Sequence, residues 1–271
     1  MIWDESLFAG SAPYYLSGRF PYPPELANAL SDELGLDGTG RLLDVGCGPA
    51  RLTLLLAPLF ERAVGVDADA DMVAEARRQA ADRGVLNTEF LHLRAEELPA
   101  GLGAFEVATF AQSFHWMDRA RVAAIVREML VPGGAWVHVH PRKTPGDGDD
   151  LPEPTPPHEQ IEELVKAYLG PVRRAGRGLL PHGTPRDEEA IMIDAGFSGP
   201  TRLDVGGARV LDRSEDEVVA SVFSRSSSAP HLFGERLAEF EAELRGLLRG
   251  ASPDGVFKER AREIELVIWT P

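Results

Sequence analysis

The sequence predicts an α/β protein built on a doubly wound parallel sheet, and three observations carry that expectation. Short β-type runs alternate with helical patterns between residues 41 and 139. A Gly-rich turn, Gly46-Cys47-Gly48, joins the first of these strands to the helix after it. An acid, Asp67, closes the second strand, where such sheets place a carboxylate for a nucleoside.

The elements follow in order. Residues 1–24 are rich in aromatics, Gly and Pro and read as an irregular arm. The arm leads into a helix over residues 25–34, with Pro24 just ahead of its first turn. A strand over 41–45 precedes the turn and a helix near 50–57. A strand at 63–66 is followed by a helix over 71–83, capped by Asp71 and striped by Met72, Val73, Ala76 and Ala80. Strands at 90–93, 105–110 and 135–139 continue the series, with a helix over 119–130 before the last.

The second half changes character. Residues 144–157 are acidic and Pro-rich, which suits an exposed loop. Helices are expected over 159–169 and over 187–195, the latter stopped by Gly196. Strands are expected over 201–211 and 264–269. Between them lie an amphipathic helix at 215–224, a Ser-rich turn and a helix at 235–248.

Composition bounds the function. The chain has 271 residues, 44% of them hydrophobic, with 28 Lys and Arg against 43 Asp and Glu and a net charge of −15. It can bury a sizeable core, and its acidic surface disfavours nucleic acid and anionic membranes as partners. One cysteine, Cys47, allows neither an internal disulfide nor a multi-thiolate zinc site and fits a reducing compartment. The N-terminus lacks a signal-peptide pattern, and the oiliest stretch, 52–60, contains Pro58 and is too short to span a bilayer. A soluble cytoplasmic protein is expected.

The turn identifies the ligand class. Its glycines let backbone approach a ligand, and the following helix aims free N–H groups at it. Asp67 can accept hydrogen bonds from vicinal ribose hydroxyls. A dinucleotide fingerprint needs a third glycine where Arg51 stands, and Asp44 would oppose a pyrophosphate. A nucleoside carrying an amino acid is implied instead, and S-adenosyl-L-methionine fits.

The motifs LLDVGCGPA, AVGVDADADM, LRAEELP, FEVATFAQSFHWMD and VPGG, in this order over about residues 41–139, resemble class I S-adenosylmethionine-dependent methyltransferases of the small-molecule type 11 group. The segment YYLSGRFPYP is similar to that family's cofactor-closing arm. Ala50 departs from the family by replacing a third glycine. The resemblance implies a Rossmann-like doubly wound seven-stranded sheet with its last strand antiparallel. It also implies one methyltransferase domain over 1–271: an N-terminal arm or lid (1–38), a cofactor-binding half (39–141), a loop and helices forming a lid (142–195), and C-terminal strands (196–271) with a helical insertion (214–250).

Residue by residue, the resemblance puts Asp44, Gly46 and Gly48 at the methionine and sulfonium end. Asp67 would bind the ribose, with Ala68 and Met72 beside the adenine and Ala95 and Glu96 at its edge. Ala111 and Gln112 would contact the methionine part, and Tyr15 and Arg19 its carboxylate. His115 is a candidate base or substrate-positioning group, or a wall of the pocket together with Trp116.

The remaining candidates are weaker. His138 and His140 share one strand face, yet no third ligand of suitable spacing is evident, so no metal is expected. Glu159, Glu162 and Glu163 read as a solvated helix face, while His182 and His231 fall in segments expected to cover the pocket.

The activity implied is methyl transfer to an O, N or C nucleophile of a small molecule, as in natural-product biosynthesis, with S-adenosyl-L-homocysteine as product. The alternatives are a non-catalytic S-adenosylmethionine-binding protein and a nicotinamide-dependent oxidoreductase. The Asn/Asp-Pro-Pro-Tyr signature of amino-directed DNA enzymes is replaced here by AQSFHW.

Overall fold

The computed structural model describes residues 6–142, 151–175, 178–180, 187–207 and 209–271. The chain enters through α1 (Ala12–Gly18) and α2 (Glu25–Leu34), then alternates as β1 (Arg41–Val45), α3 (Arg51–Leu56), β2 (Arg62–Asp67), α4 (Ala70–Asp82), β3 (Thr88–His92), β4 (Phe105–Ala111), α5 (Arg119–Met129) and β5 (Leu130–Pro141). Next come α6 (His158–Leu169), a two-stranded hairpin of β6 (Arg174–Ala175) and β7 (Gly178–Leu179), α7 (Glu188–Asp194), β8 (Ser198–Val205) and β9 (Arg209–Ser214). The chain closes with α8 (Glu215–Phe223), α9 (Leu237–Ala251), β10 (Val256–Ala261) and β11 (Ile264–Thr270).

Seven strands form one mixed sheet in the order β3-β2-β1-β4-β5-β11-β8. The first five are parallel, and β11 runs antiparallel to both β5 and β8. This is a Rossmann-like doubly wound seven-stranded sheet with its last strand antiparallel, as expected. The order reverses beside β1, which places a crevice at the carboxyl ends of β1, β2 and β4.

Helices cover both faces of the sheet. On one, Phe110 stacks on Trp136 at 3.8 Å with Phe114 against both; on the other, Leu26, Leu30, Leu42 and Leu56 are fully buried. A third apolar cluster lies off the sheet, where Phe223, Phe233, Phe240, Leu244 and Leu248 join α8 and α9 to Ile161 of α6. Such burial contributes on the order of 1.5–3 kcal/mol per large side chain, so the lid has a core of its own.

Four local expectations change. The arm is helical over α1, whose seven residues are too few to show a hydrophobic period and which is held by its docking on α8. The cap of α4 is Asp69, two residues before Asp71: its carboxylate accepts from Asp71 and Met72 N–H at 2.9 and 3.1 Å, while Asp71 lies inside the first turn. The strand expected over 201–211 is two strands, because Gly206 at φ +78° turns the chain out of the sheet. Its second part, β9, pairs with β10, which the sequence did not suggest because VFKERA carries charges at its centre. The part of the acidic loop at 144–150 and His182 lie outside the described residues. Among the described residues, no helix is long and apolar enough to cross a membrane.

Candidate functional site

The Gly-rich turn leaves β1 and is tied to β2 by Gly46 and Cys47 N–H groups donating to the Val66 carbonyl at 2.8 and 3.0 Å. Gly46 and Gly48 both adopt positive φ, +69° and +54°. A Cβ on Gly46 would lie 2.4 Å from Ser113 Cβ, whereas one on Gly48 would meet nothing within 4 Å. The first glycine therefore serves packing, and the second keeps space open above the turn.

That space is a cavity of about 650 Å³, including its open mouth, within the usual range of small-molecule sites. Of the twelve expected cofactor residues, ten line it: Tyr15, Gly46, Gly48, Asp67, Ala68, Met72, Ala95, Glu96, Ala111 and Gln112. Phe8, Leu93, Ser113, Trp116 and Met117 complete the wall. Phe8 was not legible because its role depends on the arm folding back, which puts its ring edge-on to Tyr15 and Trp116 at 6.3 Å.

Asp67 closes β2 with its Oδ2 accepting from Gly48 N–H at 2.7 Å and its Oδ1 from Asp69 N–H at 2.9 Å. Burial pushes its carboxyl up to about 6, against the lowering effect of those two bonds. Glu96 is fixed by the Asp118 N–H at 2.8 Å.

Two expected residues do not line the cavity. Asp44 is 1% exposed and stands behind the turn, where its oxygens accept from Thr53 Oγ1 at 2.5 Å and Thr109 Oγ1 at 2.8 Å. Burial raises its pKa, opposed by both hydroxyls. Thr53, near the start of α3, reaches back to β1 and satisfies one Asp44 oxygen. Arg19 turns towards the lid, with Nη2 donating to the Ser224 carbonyl at 2.7 Å and the guanidinium over the Tyr15 ring at 5.1 Å.

Arg19 Nε and Arg51 Nη2 are buried without a hydrogen-bond partner among the described residues. Each guanidinium perturbs the Tyr22 hydroxyl, and Arg19 and Arg51 repel one another. Both line a separate cleft with Tyr22 and Arg83, which shares no lining residue with the cavity, and their orphaned donors fit an anionic group such as a carboxylate. Arg51 was missed because it was considered only as a failed glycine position. In the cavity itself, Asp67 and the open face of Gly48 suit a nucleoside.

His115 does not line the cavity; its ring packs on Trp116 at 4.4 Å. Burial lowers its pKa to about 4, opposed by Glu188 and reinforced by His140, Arg173 and Arg119. His231 ties the arm to the lid, its Nδ1 donating to the Ala9 carbonyl at 3.0 Å. Glu159, Glu162 and Glu163 are exposed on α6, where Glu162 and Glu163 pair with Lys166.

The absence of a third group beside His138 and His140 needs correction. Glu188 of α7 brings Oε1 to 3.5 Å from His138 Nδ1 and Oε2 to 3.5 Å from His140 Nε2. Spacing could not reveal it, since α7 is 48 positions beyond His140. The proton positions argue against a metal there. The Trp136 indole N–H, which can only donate, reaches His138 Nε2 at 2.9 Å. The proton of a neutral His138 is therefore on Nδ1, the atom that a metal would have to take. The Gln112 amide N donates to His140 Nδ1 at 2.9 Å, which likewise puts the proton on Nε2, facing Glu188. Gln112 holds φ +57°, a strained backbone, and links this group to the cavity. Burial alone would raise the Glu188 carboxyl, but the hydrogen bond from His140 and the rings of His138 and His115 bring it below its usual range.

Residues 42–134 match a family model described as a methyltransferase domain. The match covers the strands and the Gly-rich turn that build the cavity, which are similar to a methyltransferase domain. Among individual proteins, the chain is 34% identical over 132 residues to an uncharacterized methyltransferase of Mycobacterium tuberculosis, covering 48% of this chain and 51% of that one. It is 24% identical over 203 residues to a trans-aconitate 2-methyltransferase of Mycobacterium ulcerans, covering 72% and 67%. The chain spans about half the length of the first of these relatives. A S-adenosylmethionine-dependent methyltransferase of Geobacter sulfurreducens, solved with S-adenosyl-L-homocysteine, shares the fold at TM-score 0.54 and 17% identity over 100% of both chains.

Proposed function

We propose that the cavity at the ends of β1, β2 and β4 binds S-adenosyl-L-methionine and that the chain transfers its methyl group to a small-molecule acceptor. The observation that carries this reading is the convergence on one cavity of Gly48, Asp67 and Glu96. In this reading Asp67 accepts from the ribose hydroxyls, Ala68, Met72 and Leu93 hold the adenine, and Ala95 and Glu96 meet its edge. Gly46, Gly48, Ala111 and Gln112 flank the methionine part, and Tyr15 meets its carboxylate. Asp44 acts through Thr53 and Thr109, fixing the turn.

When bound, the cofactor supplies a methyl carbon already activated by its sulfonium. The protein's share is alignment and exclusion of water. Phe8, Tyr15 and Trp116 close the mouth. His115, left neutral by burial, and the ionised Glu188 stand on the side next to Trp116 and Gln112, where an acceptor's proton would leave. The finer assignment to the type 11 group, with an acceptor from small-molecule biosynthesis, belongs to the same reading.

Isothermal titration with S-adenosyl-L-homocysteine tests it. Binding that Asp67→Asn weakens about tenfold or more is expected, and no heat of binding in the folded wild type sinks the reading.

A further inference from the structure

Three imidazoles and one carboxylate gather at the carboxyl ends of β4 and β5, and they differ in what each can do. His138 and His140 share one face of β5 with their rings 5.5 Å apart, and Glu188 of α7 spans the pair. His138 is buried, its Nε2 accepts from the Trp136 indole at 2.9 Å, and its Nδ1 proton faces Glu188 Oε1. It has no lone pair left to take a proton. Burial lowers the pKa of His115 to about 4, which makes it a weak base near neutral pH. His140 is half-buried and differs from both.

Glu188, kept ionised by the histidines despite its burial, can only accept hydrogen bonds. Its Oε2, 3.5 Å from His140 Nε2, therefore sets the His140 proton on that nitrogen and leaves the lone pair on Nδ1. The Nδ1 atom faces the wall of the cavity. There the amide nitrogen of Gln112 donates to it at 2.9 Å, and Gln112 itself lines the cavity. Gln112 holds this place at φ +57°, a strained conformation at a residue that touches both the cavity and a basic nitrogen. Glu265, opposite His140 in the register with β11, is taken up by Arg202 at 3.2 Å, and Arg119 by Asp187, so Glu188 is the carboxylate that His140 meets.

We propose that His140 is the base that takes the proton of the methyl acceptor, that Glu188 is the positioning residue that fixes its tautomer, and that the acceptor presents a hydroxyl or amine donor where the Gln112 amide now stands. This rests on the methyltransferase reading and narrows its acceptor to an O–H or N–H nucleophile. In the step so described, the acceptor's proton passes to His140 Nδ1 and its electron pair to the methyl carbon, while the pair of the methyl–sulfur bond stays on sulfur. Charge balances, because the positive charge lost by the sulfonium is gained by the imidazolium. That imidazolium faces ionised Glu188, as a carboxylate behind a catalytic imidazole does in a triad.

Two measurements on the full chain test this. Nitrogen-15 NMR of the histidine side chains, with the His140 signals assigned by their loss in His140→Gln, is expected to show Nε2 protonated and Nδ1 bare in the wild type and a mixture of tautomers in Glu188→Gln. A proton on Nδ1 in the wild type overturns the proposal. Turnover is then followed by mass spectrometry with S-adenosyl-L-methionine and two probes, catechol for a hydroxyl and benzylamine for an amine. Methylation of at least one is expected, with kcat falling about a hundredfold or more in His140→Gln and about tenfold in Glu188→Gln while KM for the probe changes little. An unchanged kcat in His140→Gln, or methylation of neither probe, also overturns it. Titration of the same samples with S-adenosyl-L-homocysteine separates the two readings. Cofactor binding beside either failure removes the role of His140 alone, whereas no cofactor binding removes the methyltransferase reading on which that role stands.

Discussion

The Ala220 carbonyl oxygen lies 2.3 Å from where a Cβ on Gly18 would be, so α1 rests on the backbone of α8 with no room for a side chain. Arg213 reinforces the joint by donating to the Ser17 and Gly18 carbonyls at 3.1 and 3.3 Å, and Ser11 by donating to the Phe223 carbonyl at 2.8 Å. Gly18→Val is therefore expected to lift the arm, carrying Phe8 and Tyr15 from the cavity mouth. Affinity for S-adenosyl-L-homocysteine should fall about tenfold or more, with far-UV circular dichroism unchanged and faster trypsin cleavage within the first 20 residues. An intact affinity would mean that the arm does not close the cavity.

The two glycines of the turn should separate stability from binding. Gly46→Ala meets both the left-handed penalty, about 1–2 kcal/mol, and the overlap with Ser113, about 1–3 kcal/mol more, and should lower the melting temperature markedly. Gly48→Ala meets only the former, so the fold should survive while its methyl group occupies the cavity. Melting curves and cofactor titration on both variants check this.

Asp67 should make cofactor affinity pH-dependent. Ribose hydroxyls donate to the ionised carboxylate, and with its pKa at about 6 affinity should fall as pH drops from 7 to 5, a slope that Asp67→Asn removes. Stability runs the other way. The folded pKa lies above the unfolded one, so the fold binds more protons in that window and gains stability as pH falls through about 6. Titrations and denaturant melts at pH 5, 6 and 7 give both signs.

Asp44 is expected to matter for stability more than for contact with the cofactor. Asp44→Ala strands the Thr53 and Thr109 hydroxyls in a buried site, which costs about 2–4 kcal/mol, measurable as a shift in the urea midpoint. Thr53→Val, which removes one of the two bonds, should cost less.

The group around Glu188 should not hold a metal. Zinc added to the protein is expected to leave its melting temperature unchanged, and EDTA to leave any activity unchanged. Trp136→Phe frees His138 Nε2 and with it the tautomer, so zinc stabilisation confined to this variant would confirm that the indole fixes the proton. Stabilisation of the wild type would show that the His138 ring is turned over.

The sheet was legible because its strands are apolar runs with Gly punctuation, and the cofactor cavity because its residues leave consecutive strand ends. What stayed hidden depends on contacts between distant segments. Helix α1 forms because α8 receives it, β10 because β9 leaves the sheet after Gly206, and Glu188 joins His138 and His140 only through the docking of α7. Asp44 was placed correctly on β1, yet no spacing could tell that Thr53 would satisfy it before a ligand did. Arg51 was read for the side chain it lacks and not for the charge it brings.

The lid's separate core has a consequence for how such a chain can change. Phe223, Phe233 and Phe240 pack with one another and with Tyr14 of α1, so helices α8 and α9 and the arm that brings Phe8 and Tyr15 to the cavity are one body. Exchange of α8 and α9 for those of another such protein would strip α1 of its seat unless the arm were exchanged as well. The arm and these helices are thus inherited as a unit, and a graft intended to alter either must carry both ends of the chain.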